Sequence, residues 1–169
     1  MAVQTVDTSR HLDRRRRRWR VSADQYLAMV DSGVLPPDAR TELIAGEVYA
    51  VPPPGSLHAS SKTTLLYALL PRVGDRALVW VDDAVRLGDD SAVPPGLALL
   101  RPRPPPHGHA LPIAADVLLA MEVAVSSRHH ARRRKIPLYA RHGVPEVWLV
   151  DLVARRLEVY RDPRGGRYR

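Results

Sequence analysis

Asp116-Val-Leu-Leu-Ala-Met-Glu122-Val-Ala-Val-Ser-Ser127, Arg128-His-His-Ala-Arg-Arg-Arg-Lys135-Ile-Pro-Leu-Tyr139-Ala-Arg-His-Gly143 and Val144-Pro-Glu-Val-Trp-Leu-Val-Asp151 run consecutively, and they decide the fold. An apolar run carries one acid, a basic helix carries one lysine, and a second apolar run follows. The neighbours of Glu122 are apolar at both parities, as in a strand buried on both faces. A carboxylate there is costly unless it is paired or binds a metal. The alternative is a solvated strand end, in which Glu122 has no task.

Working outward, Ser22 is placed to cap a short helix before Tyr26, Leu27 and Val30, which Asp31-Ser-Gly33 ends. Thr41 to Ala50 reads as two short strands turning near Ala45-Gly46. After the Pro52-Pro-Pro-Gly55 loop, a helix opens at Ser56 or His58, carries Leu65, Leu66, Leu69 and Leu70, and stops at Pro71 and Gly74. Ala77–Val81, Ala84–Leu87 and Val93–Leu100 read as strands. Arg101 to Pro112 is a Pro-, Gly- and His-rich loop. Ser127 is placed to cap the basic helix, Glu146–Val150 forms a strand, and Arg155–Tyr160 returns as its hairpin partner. The order is helix, hairpin, helix, three strands, helix, two strands. This predicts an α/β core with a mixed central sheet flanked by helices.

The 169 residues suffice for one domain with a core, which lacks Phe and rests on Leu, Val, Ala and a few Trp and Tyr. Without cysteine there are neither disulfides nor thiolate metal sites. No apolar run approaches the roughly 20 residues of a membrane span, and no h-region follows the basic N-terminus. The expectation is a cytoplasmic protein without a membrane partner. Residues 1–20, with Arg14 to Arg18, read as a disordered basic arm, and residues 21–169 as the domain.

The net charge is +8, and Lys62 and Lys135 are the only lysines. An arginine-rich surface suits a phosphate-rich partner, and a GC-rich genome explains the same bias. Where arginine is the default, Lys135 suggests a need for a compact charge or a proton donor, with chance as the alternative. His58, His107 and His109 form no metal motif. His129-His130 reads as surface, and Tyr139, Trp148 and Tyr160 as core.

Several segments occur in a telling order: Glu42-Leu-Ile-Ala-Gly-Glu47, Pro52-Pro-Pro-Gly-Ser-Leu-His58, Asp83-Ala-Val-Arg-Leu-Gly-Asp-Asp90, Met121-Glu-Val123 with Ser126-Ser127, and the run from Lys135 to Asp151. The ordered set closely resembles the Uma2 family of restriction-endonuclease-like proteins, over about Val21 to Tyr168. The resemblance implies the PD-(D/E)xK nuclease fold, with an extra N-terminal hairpin and a C-terminal β-hairpin. It implies a Mg2+-dependent (or Mn2+-dependent) DNA endonuclease that hydrolyses phosphodiesters. Glu122 maps to the metal-binding Glu and Lys135 to the catalytic lysine, displaced onto a helix. Glu42 and His58 map to the same cleft; apart from the resemblance, the basic helix offers Arg132, Arg133 and Arg134 as nucleic-acid contacts. The family's Pro-Asp-Leu reads Pro95-Gly96-Leu97 here, so the principal metal-binding Asp is Gly96. Relatives often carry acids at Ala45, Val125 and Ala131 as well. Asp89 or Asp90 could substitute. The departures imply weakened or absent metal binding and impaired cleavage. The alternatives are an inactive nucleic-acid-binding module, or a protein partner of an active paralogue that pairs through the terminal hairpin or an exposed sheet edge; a homodimer is a further candidate.

Overall fold

The computed structural model describes residues 18–36, 38–102 and 110–169. The basic arm to residue 17 and the loop with His107 and His109 lie outside the described residues. In chain order the elements are α1 (Ala23–Asp31), β1 (Thr41–Ile44), β2 (Glu47–Ala50), α2 (Ser56–Val73), β3 (Leu78–Val81), β4 (Val85–Arg86), β5 (Ala92–Val93), β6 (Leu97–Leu100) and β7 (Val117–Ala124). A helix follows as α3 (Arg128–His130), a π turn (Ala131–Lys135) and α4 (Ile136–Arg141), then β8 (Glu146–Asp151) and β9 (Arg156–Arg161).

The mixed central sheet has the order β3-β6-β7-β8-β9, in which only β7 and β8 run parallel. A parallel pair needs a crossover, and the basic helix supplies it. On one face of β7, Leu119 and Met121 join Leu97 and the α2 leucines Leu65, Leu66 and Leu69. On the other, Ala120 and Ala124 pack with Ile136, Leu138 and Tyr139. β7 is therefore covered on both faces, as its apolar run requires.

Three sequence expectations need correction. Val93 to Leu100 is not one strand. Pro94 and Pro95 have no N–H to donate to a ladder, so the chain switches sheets there. β5 joins a second sheet of order β2-β1-β5-β4, and β6 joins the central one. Pro71 does not stop α2, which continues to Val73. It lies in the last turn at an exposed position, where water reaches the carbonyl that its missing N–H leaves unpaired, and Gly74 at φ 52 ends the helix. Ser127 does not cap the basic helix through its side chain, because its backbone, at φ −80 and ψ 2, is not the extended conformation a cap adopts. By contrast, Ser22 caps α1 in a full capping box with Gln25. The hairpin turn falls at Ala45 and Gly46, both at positive φ, the conformation that suits a two-residue hairpin loop. Among the described residues, no helix is long and apolar enough to cross a membrane.

Arg132 ties the helix to the terminal hairpin. Its guanidinium donates to Asp151 at 2.6 Å and to both oxygens of Glu158, at 2.7 and 3.1 Å. This hydrogen bonding lowers the Glu158 carboxyl from its ordinary 4.5 to about 2. A carboxylate with a depressed folded value stabilises the fold above its unfolded value and loses that contribution as pH falls. Urea midpoints should therefore drop between about pH 4.5 and 2, and Glu158→Gln should make that drop shallower while lowering stability near neutrality.

Candidate active-site cleft

A cleft of about 380 Å3 opens where the sheet switch, β7 and the basic helix meet. Glu42, Gly96, Glu122, Lys135 and His58 all line it. Glu122 is 8% exposed, on the face of β7 that looks at the helix. Its Oε1 accepts from Tyr139 Oη at 2.7 Å and forms an ion pair with Lys135 Nζ at 2.6 Å. Burial and the adjacent Glu122 charge push the Tyr139 hydroxyl well above its ordinary value, so it stays a donor. Lys135 Nζ also donates to the Pro94 carbonyl at 2.7 Å and stands 3.7 Å from Glu42 Oε2. Glu42, 3% exposed on β1, accepts from His130 Nε2 at 2.6 Å. Burial raises the Glu42 carboxyl, but the His130 hydrogen bond and the Lys135 charge outweigh it and leave it below its ordinary value.

His130 is thus a cleft residue and not a surface one. At 3.6 residues per turn, positions five apart stand about 140° apart, so His130 and Lys135 could not share a face of a regular helix. The π turn changes this. Ile136 N–H bonds to Ala131 O, an i to i+5 closure that widens the winding. Pro137 supplies a local cause, since it cannot donate to the carbonyl of Arg133 and the ordinary ladder fails there. Both side chains consequently reach Glu42.

The structure adds Asp82, which the sequence reading did not single out. It follows β3 in a left-handed conformation, φ 54, and its N–H donates to Gly96 O at 3.4 Å. Asp82 lines the cleft and pairs with Lys62 and, at 3.9 Å, with Arg40. The available signal was Lys62 itself, one of two lysines in an arginine-rich chain. Asp89 and Asp90 do not substitute for the missing acid. The Asp89 carboxylate pairs with Arg86 and Asp90 accepts from Ser91 Oγ, and neither lines the cleft. His58 Nδ1 is buried without a partner, and burial followed by the Lys62 charge lowers the ring's basicity. Of the three helix arginines, Arg133 and Arg134 are exposed. Arg132 pairs with Asp151 and Glu158. Among the described residues, no three His, Asp or Glu side chains are grouped to hold a metal ion.

Residues 23–169 match the Uma2 family, described as "putative restriction endonuclease". The chain belongs to the Uma2 family. No curated protein matches the chain. Among solved structures, one described as a "putative nuclease belonging to DUF820 from Anabaena variabilis ATCC 29413" is similar. It has a TM-score of 0.63 and 19% sequence identity, with 85% of this chain and 86% of that chain covered. At that identity the likeness shows a shared fold. The Uma2 match therefore supports a nuclease-like protein.

Lys135→Met should leave Glu122 buried and uncompensated, destabilising the protein by about 3–5 kcal/mol. Tyr139→Phe removes one hydrogen bond to a charged group and should cost about 1.5–3 kcal/mol. Urea denaturation of both variants checks the order, and an equal loss would contradict it.

Proposed function

We propose that this Uma2 protein engages the phosphodiester backbone of DNA and that its Mg2+-dependent cleavage is impaired. The observation that carries the reading is Gly96, which faces the same cleft as Glu122 and Lys135. The family resemblance places the principal metal-binding Asp at that position, and glycine offers no ligand.

The donor set supports the same reading. Mg2+ takes octahedral oxygen coordination, commonly with one or two carboxylates and several waters. Here Glu122 Oε1 is engaged by Tyr139 and Lys135, Glu42 by His130, and Asp82 by Lys62. The residues present do not fit the ion. For DNA engagement, the net charge of +8 and the exposed Arg133 and Arg134 favour phosphate contacts. The binding-module reading shares this support, and the two part company on cleavage.

With supercoiled plasmid and Mg2+ or Mn2+, wild type should cut little, Gly96→Asp should cut, and adding Glu122→Ala should abolish that gain. A Cβ at residue 96 would stand 3.2 Å from Met121 O, so the new side chain needs a local shift of a few tenths of an ångström. Wild-type cutting that Glu122→Ala abolishes would overturn the impairment. For DNA binding, Arg133→Ala and Arg134→Ala should each reduce the salt dependence by roughly one phosphate contact, and Arg132→Ala should not. A flat salt dependence in wild type would contradict phosphate contacts.

A further inference from the structure

The chain spends its only two lysines on one place. Lys62 neutralises Asp82 and Lys135 neutralises Glu122, and both carboxylates line the cleft. Every other cationic side chain of the arginine and lysine class is a guanidinium. The difference is geometric. An ammonium is a compact charge with three donors that can sit inside a ring of oxygens, whereas a guanidinium is a broad planar fork.

Lys135 Nζ occupies such a ring. Glu122 Oε1 lies at 2.6 Å, the Pro94 carbonyl oxygen at 2.7 Å and Glu42 Oε2 at 3.7 Å. Two carboxylates and a carbonyl are the hard oxygen donors that Mg2+, Ca2+ and Mn2+ prefer. The three oxygens come from β7, from the Pro94 switch between sheets and from β1. Their positions are braced independently of the ammonium, by Tyr139 on Glu122 and by His130 on Glu42.

We propose that, with glycine at residue 96, the Lys135 ammonium is the resident cation of this cleft: it fills a seat for a divalent ion formed by Glu122, Glu42 and the Pro94 carbonyl, and either a carboxylate added at residue 96 or removal of the ammonium opens that seat to a divalent ion. The proposal deepens the impaired-cleavage reading and concerns the same cleft. It explains why the carboxylates persist in a chain whose residue 96 is glycine. Two buried carboxylates held close together need a cation, and the chain carries one covalently.

Isothermal calorimetry with Mn2+ in the absence of nucleic acid tests the proposal. Wild type should show no site involving Glu122. Lys135→Met should bind one Mn2+ per chain, at least tenfold more tightly than wild type, and Glu122→Gln added to Lys135→Met should remove it. If Lys135→Met does not fold alone, Mn2+ should restore its folded tryptophan fluorescence, because a ligand bound only by the native state stabilises that state. The proposal is overturned if wild type binds Mn2+ at a site lost on Glu122→Gln. It is equally overturned if Lys135→Met, folded or unfolded, is indifferent to Mn2+. Plasmid cleavage by the wild type would sink the impaired-cleavage reading without deciding the calorimetry, so the two failures are distinguishable.

Discussion

A carboxylate buried in the middle of a central strand must be compensated, and the site is built around that constraint. Glu122 is held by one ammonium and one phenol, both from the helix that follows β7. Removing a charge partner in such surroundings costs several kcal/mol, comparable with the whole stability of many domains. The helix must therefore return across the face of β7 that carries Glu122. The parallel β7–β8 pair makes this possible, because a crossover helix lies against the sheet it connects.

The second constraint is the break in the β5–β6 region. Prolines at 94 and 95 end one ladder and start another, so one short segment joins both sheets. The same break turns the Pro94 carbonyl toward Lys135 and leaves Gly96 on the cleft wall. A feature that would read as a strand-breaking blemish supplies a ligand to the buried ammonium. The π turn works in the same way. A local failure of the helical ladder beside Pro137 lets His130 and Lys135 meet Glu42 together. Irregular backbone of this kind is frequent at functional sites.

Fold and chemistry are separate questions in this Uma2 member. The family match spans residues 23–169 and the fold persists with its cleft. The carboxylates Glu42, Asp82 and Glu122 of that cleft pair with His130, Lys62 and Lys135, and residue 96 contributes no side chain. A shared fold does not carry an activity with it, and function lies with these residues. Charge abundance is likewise a poor guide to contact. Arg132 belongs to the most arginine-rich part of the helix, yet two carboxylates of the terminal hairpin hold it.

Much was legible in the order of residues. Apolar positions at both parities placed Glu122 in a strand covered on two faces, and one lysine among arginines marked Lys135 as different. The Ser22 cap, the turn at Ala45-Gly46 and the final hairpin are local signals, fixed by a few adjacent residues, and they appear where expected. The division into two sheets, the entry of His130 into the cleft and the placement of Asp82 beside Gly96 were decided by tertiary structure alone. Each depends on partners far away in the chain: Glu42 is 88 residues from His130, and Pro94 is 41 from Lys135. Helical periodicity assumes a regular winding, so a π turn that closes over five residues hides the contact it creates. The sequence thus posed a choice for Glu122 between a solvated strand end and a buried acid that is paired or binds a metal. Only the folded chain determined which groups meet there, because only folding brings Glu122, Glu42 and the Pro94 carbonyl around the Lys135 ammonium.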